Sequence, residues 1–149
     1  MENTKQVVVM KLGDVQYGFP IGLVNEIIRY VAPTKIPNTP AYVEGIISLR
    51  EKVYAIINLR NFLCLDRKEA DENTKIIIAN GSNVGFIVDE VNMIVSPKDE
   101  EVDSAAGLPG YIDKSYVLYI LKIEGEIIVV LNTASILDIS GEVNKVQAV

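Results

Sequence analysis

The 149-residue chain contains no histidine, and that one absence removes much of the common catalytic machinery. Without imidazole there is no Ser-His or Cys-His nucleophile pair, no histidine general base and no histidine metal site. A single cysteine excludes an internal disulfide and fits a reducing cytoplasm. That residue, Cys64, lies in Phe62-Leu63-Cys64-Leu65 with no base nearby in sequence, and is read as a small buried hydrophobe. There is no tryptophan, no glycine-rich phosphate loop and no aspartate-rich calcium loop. No apolar run approaches the ~18 residues of a membrane span. Met1-Glu2-Asn3-Thr4-Lys5 lacks the charged-then-apolar order of a signal peptide. A net charge of −6 leaves no positive footprint for nucleic acid or an anionic membrane. Catalysis by carboxylates alone stays open, but nothing singles out a pair; no cofactor, metal site or catalytic residue is expected.

What is present is ample material for a core. Apolar residues make up 49% of the chain and charged residues 23%, an ordinary balance for a folded protein of one domain or two very small ones. The organising stretch is Thr39 to Leu59. Val43-Glu44-Gly45-Ile46-Ile47-Ser48 and Val53-Tyr54-Ala55-Ile56-Ile57 are two β-rich runs joined by the charged corner Leu49-Arg50-Glu51-Lys52, which reads as a hairpin with largely buried strands. A rigid base carrying a chemically distinct, exposed corner suits recognition better than catalysis.

Before it, Gln6–Leu12 and Val15–Phe19 read as strands about a Gly13-Asp14 turn, and Ile21–Tyr30 as extended or bent structure. Val31 to Pro40, with three prolines, reads as a loop without ladder bonds. Leu59–Leu65 fits one short helical turn, and Asp66–Thr74 a surface connection. Then the pattern returns. Gly18-Phe19 followed by Val24-Asn25-x-Ile27 reappears as Gly85-Phe86 followed by Val91-Asn92-x-Ile94. Leu49–Asn58 aligns without gaps on Ile123–Asn132, and Phe62-Leu63 on Ile136-Leu137. A repeat of about 70 residues is too long for a solenoid unit and too short for an ordinary independent domain. The expected fold is therefore all-β: two barrels of about five strands packed side by side. Residues 14–75 are assigned to the first barrel and 6–13 with 76–139 to the second, or to strands exchanged between the two. Residues 140–149 are expected to form a frayed tail.

The repeat also makes a turn legible. Gly125 stands where Glu51 stands in the first copy, at a position where tight hairpins often need positive φ, so a matching backbone would strain Glu51 by on the order of 1 kcal/mol. The second copy has a longer connection, about Ser96–Ser115, whose Asp99-Glu100-Glu101 is read as a solvated face. Asn58 and Asn132 are read as strand-ending caps.

Thr39-Pro40-Ala41-Tyr42-Val43-Glu44-Gly45-Ile46-Ile47-Ser48-Leu49-Arg50, then Ile56-Ile57-Asn58-Leu59, then Val84-Gly85-Phe86-Ile87-Val88-Asp89-Glu90-Val91 resemble the signature blocks of the CheW family of chemotaxis coupling proteins, over residues 6–139. Two departures stand out: the family prefers glycine where Glu51 stands, and a proline near Ala55. The resemblance implies a cytoplasmic, non-catalytic adaptor of two SH3-like barrels, recruited to membrane receptor arrays through its partners rather than by inserting into the membrane. Those partners would be the signalling tip of a chemoreceptor, held in a groove between the barrels, and the regulatory domain of the CheA histidine kinase, held at barrel ends. Carried over by position, the receptor-side residues are Val24, Glu26, Ile94 and Arg50. Val24 and Ile94 are taken as equivalent places in the two copies, with burial in the core as the competing reading for both. Solvation competes for Glu26 and Arg50, and Gly45 is taken as structural. Two alternatives remain: a regulatory fragment of a larger kinase or coupling protein, disfavoured because the chain stops soon after the second repeat, and a ligand-binding or hydrolytic β-barrel using Asp89, Glu90 and Asp138.

Overall fold

Short β-branched runs broken by two-residue turns leave strands as the main secondary structure, and strand pairing decides how the two copies are assembled. The computed structural model describes residues 6–108, 114–132 and 135–136. The expected polar ends, Leu137 of the repeat, Asp138 and the last part of the second-barrel range lie outside the described residues.

The strands are β1 (Val7–Leu12), β2 (Val15–Pro20), β3 (Val24–Arg29), β4 (Val43–Leu49), β5 (Lys52–Asn58), β6 (Lys75–Ala79), β7 (Val84–Val88), β8 (Glu90–Val95), β9 (Val102–Ser104), β10 (Val117–Ile123) and β11 (Glu126–Leu131), with a single helical turn, α1 (Leu59–Phe62). They form two sheets, ordered β3-β6-β7-β5-β4 and β8-β1-β2-β11-β10-β9. The pairings correspond one to one. In each sheet a parallel pair, β5–β7 or β11–β2, is flanked by antiparallel pairs. Thus β3, β4, β5, β6 and β7 match β8, β10, β11, β1 and β2, and β9 is an addition at one edge.

The two copies have therefore traded hairpins. The first copy's β1–β2 completes the sheet built by β8–β11, and the second copy's β6–β7 completes the sheet built by β3–β5. Sheet membership changes after residues 20 and 88, rather than at 13 and 75. β2 belongs with the six-stranded sheet and β6–β7 with the five-stranded one. The chain passes from one sheet to the other at Ile21–Leu23, a 3-10 turn, and again at the single residue Asp89. Connections this short carry the strand straight across instead of folding it back on its own copy.

Three apolar clusters fill the interior. Ile47, Tyr54, Ile56, Ile76 and Ile78 form the core of the five-stranded sheet, and Val7, Val9, Leu121, Ile128 and Val130 that of the six-stranded sheet. The third cluster lies at the seam and includes repeat-equivalent pairs: Met10 with Ala79, Phe19 with Phe86, and Ile57 with Leu131. The Phe19 and Phe86 rings meet at 5.2 Å. Phe62 is packed edge-on by Tyr42 at 5.2 Å and Tyr116 at 5.0 Å. The seam is thus a packed interior.

Local expectations fare unevenly. Ile21–Arg29 is a 3-10 turn followed by a strand, and Leu59–Phe62 is one helical turn. Asn58 Oδ1 accepts from Asn61 N and Asn132 Oδ1 from Ser135 N, so both asparagines cap the turn that follows their strand. Within the proline-rich loop Thr34 makes an isolated antiparallel bridge to Ile46, with bonds of 2.8 and 2.9 Å, so this stretch is not free of ladder bonds. Strand β9 falls inside the connection after Ser96, its pairing with Tyr119–Leu121 supplied by distant sequence. Asp99–Glu101 is a 3-10 turn. Cys64 is exposed, contrary to its apolar surroundings. Cys64 N donates to Asn61 O and Leu65 N to Arg60 O, closing α1 in a Schellman arrangement that puts Cys64 at the left-handed position, φ 63°. That reversal turns its side chain to water.

Candidate functional site

The hairpin corner is built by a two-residue turn. Leu49 pairs with Lys52, leaving Arg50 (φ 50°) and Glu51 (φ 67°) as its central residues. The second hairpin turns identically about Glu124 (φ 51°) and Gly125 (φ 82°). Both are turns with two left-handed residues, whose twist matches that of the flanking strands. Glycine takes this conformation freely; Glu51 takes it at a cost of about 1 kcal/mol. The strands below are rigid, because β5 is buried on both faces from Tyr54 to Asn58.

Glu26 is brought to this corner from the opposite edge of the same sheet. β3 alternates, with Val24, Glu26 and Ile28 partly buried and Asn25, Ile27 and Arg29 exposed. Arg50 Nη2 pairs with Glu26 Oε1, joining the hairpin tip to β3 and so spanning the sheet's two edges. The Arg50 side chain remains 65% exposed and that of Glu26 28%. Val24 packs against the seam cluster. Ile94, on β8 opposite Val8, is 53% exposed and lies in the other sheet from the Glu26–Arg50 pair. The register also corrects the equivalence of Val24 and Ile94. Val24 corresponds to Val91, both packed on the seam, whereas Ile94 corresponds to Ile27, and both of those face solvent.

Gly45 is closed to any side chain. Its φ is 146°, and a Cβ would sit 2.1 Å from the Thr34 carbonyl oxygen, at the bridge that ties the proline-rich loop to β4.

Two exposed grooves flank this framework, one mainly apolar and one mixed. The apolar one, of about 270 Å³, runs beside the corner and is lined by Val31, Ala32, Thr34, Ile46 and Val53 among others. The second, of about 630 Å³, lies on the six-stranded sheet and sets Val15, Met93 and Ile127 among Lys11, Asp14 and Glu126. Val53 and Ile127 are repeat-equivalent, and both are exposed. Each described groove thus lies on a barrel's flank, while the middle of the seam is filled.

A third cleft, of about 240 Å³, is polar and is lined by three carboxylates, Glu44, Glu69 and Asp89. Glu44 and Asp89 are engaged. Arg60 grips Asp89 in a fork, Nε–Oδ1 2.9 Å and Nη2–Oδ2 2.6 Å, and Gly13 N donates to Oδ2 at 2.7 Å. Glu44 accepts from Arg67 and from Asn58 Nδ2 at 3.0 Å. Burial pushes each carboxyl up, but the Arg60 fork and the Gly13 N–H hold Asp89 below its ordinary range, as the Arg67 and Asn58 bonds hold Glu44. Carboxylates fixed in the ionised form by arginine are poor general acids. No group of three or more potential metal ligands occurs among the described residues. Sequence reasoning missed the Arg60–Asp89–Gly13 clamp, whose members are 29 and 76 residues apart; the Val88-Asp89 end of the signature block was the available signal. It sits where the chain crosses between sheets.

Comparisons with known proteins give a consistent picture. A family model described as the CheW-like domain matches residues 6–140. The chain is 30% identical over 137 residues to the chemotaxis protein CheW of Bacillus subtilis (strain 168), covering 90% of this chain and 87% of that one. It is 28% identical over 134 residues to the CheW of Rhizobium meliloti (strain 1021), covering 89% and 86%. The crystal structure of a scaffolding protein CheW from Thermoanaerobacter tengcongensis superposes with a TM-score of 0.79 at 30% identity, covering 87% of this chain and 89% of that chain.

Proposed function

Since the chain belongs to the CheW-like domain family and is a chemotaxis adaptor of two SH3-like barrels, we propose that it couples the signalling tip of a chemoreceptor to the regulatory domain of a CheA histidine kinase, as a cytoplasmic, non-catalytic scaffold. The observation that carries this reading is the pairing of a rigid, charged hairpin corner with an apolar groove beside it. A receptor tip is a helical hairpin with an apolar stripe, and helix-in-groove packing would cover Val31 and Val53 at roughly 25 cal/mol per Å². Arg50 and Glu26 would fix the register, since a guanidinium fork forms bidentate, weakly hydrated contacts.

An adaptor also needs a second, separable surface. The groove with Val15, Met93 and Ile127 lies on the other sheet, and we assign the kinase domain to it. No helix among the described residues is long and apolar enough to cross a membrane, so attachment to receptor arrays would come through these contacts. Single contacts of micromolar strength, about −8 kcal/mol, suffice when many act together in an array.

The test is co-sedimentation and pull-down against a receptor-tip fragment and the kinase's regulatory domain. Arg50→Glu is expected to weaken receptor binding while leaving the thermal midpoint nearly unchanged, because its ion pair is largely solvated. Unchanged binding to both partners refutes the assignment of this corner.

A further inference from the structure

We infer that Glu51 determines specificity at this corner, selecting receptor tips that set a lysine or arginine opposite the hairpin turn. The inference rests on the receptor reading above and concerns a residue that reading leaves unused.

Nothing among the described residues accounts for a carboxylate at this place. The turn is the same as that of the second hairpin, where Gly125 occupies the corresponding position with φ 82° against 67° for Glu51. A glycine here would relieve the left-handed strain at no steric cost. Glu51 is exposed, and no hydrogen bond or ion pair among the described residues engages it. Of its neighbours, Arg50 reaches across to Glu26, while Lys52, without an ion pair among the described residues, lines a polar cleft with Asn25 and the Asn80–Asn83 turn. Solubility is no reason for it, since the chain already carries a net charge of −6. A non-glycine residue held in a sparsely populated conformation on an exposed, rigid corner is the pattern of strain kept for function. The uncommitted negative charge of this corner is therefore that of Glu51, presented by two paired strands at fixed height. A negative charge at the edge of an interface acts on partner choice and encounter rate more than on total affinity.

The experiment uses the full chain and a purified receptor-tip hairpin bearing a lysine at the contact, titrated at low and high salt alongside melting curves. Glu51→Gln is expected to lower affinity about fivefold at low salt, the size of a solvent-screened ion pair, and to differ little from the parent at high salt. Glu51→Gly should lose the same affinity while melting higher, a divergence that a structural role would not produce. Glu51→Lys should bind worst, and a lysine-to-glutamate change on the receptor tip should restore it. The inference is overturned when Glu51→Gln and Glu51→Gly bind like the parent while Arg50→Glu is impaired. When Arg50→Glu also binds like the parent, the receptor reading of the corner falls first.

Discussion

Arg60→Met removes the guanidinium that grips Asp89 while keeping an unbranched apolar stem of similar reach. Both side chains are 14% exposed, so the pair is nearly removed from water. Arg60 also donates to the Asp66 carbonyl at 2.6 Å. In the variant, the Asp89 carboxylate would keep only the Gly13 N–H of its direct donors among the described residues. Breaking one side of a buried ion pair costs about 3–5 kcal/mol; residual solvent access at both groups places this case near 3 kcal/mol. Against a typical stability of about 5–15 kcal/mol, that is a large fraction. With a urea m-value of about 2 kcal/mol per M, the midpoint should fall by about 1.5 M at unchanged slope. Adding Asp89→Asn to Arg60→Met should recover about 1 kcal/mol, because the stranded charge disappears. Hydrogen exchange should quicken first at the Gly13 and Asp89 amides, where the clamp and the Asp89 N to Lys11 O bond hold the crossing. A loss below about 1 kcal/mol would refute the reasoning, since the pair would then behave like an exposed one.

Cys64→Gly should stabilise the protein by about 1 kcal/mol, read as a higher urea midpoint, because glycine takes the left-handed position that closes α1; thiol reagents should label native Cys64 promptly. Gly45→Ala should cost several kcal/mol or prevent folding, given a Cβ 2.1 Å from a backbone oxygen, with circular dichroism and soluble yield as the measurements. Acid should destabilise through Asp89 and Glu44. Their folded-state values lie below the unfolded ones, so the stabilisation is complete above the unfolded carboxylate range and is lost as pH falls from that range through the lower folded-state values. Melting temperatures across that window should show it, and Asp89→Asn should flatten the slope.

The local half of this architecture was legible in the chain. Leu49–Asn58 against Ile123–Asn132 carried both hairpins, and the offset of Glu51 against Gly125 located a turn whose left-handed backbone is the same in both. Asn58 before Leu59 announced a cap. What the chain did not reveal is where each hairpin docks. β1–β2 and β6–β7 have equivalent patterns, and period-2 alternation states which face is apolar, not which partner strand lies beside it. The trade of hairpins follows from the brevity of the crossings at Ile21–Leu23 and Asp89, whose significance appears only in three dimensions. Cys64 was misplaced for a related reason: its apolar neighbours Leu63 and Leu65 do turn inward, but the reversal between them points one side chain out. The candidate site divided similarly. Glu26 and Arg50 meet although they are 24 residues apart, Val24 supports the interior, and Ile94 belongs with Ile27 as an outward-facing pair.

Because the backbone threads the junction twice, once through three residues and once through one, the two barrels have no slack by which to part or swivel. Whatever grips one flank is held at a set angle and distance from whatever grips the other. Such a body works as a bracket: it transmits a shift of one bound partner to the other as displacement of the whole, without absorbing it in an internal joint.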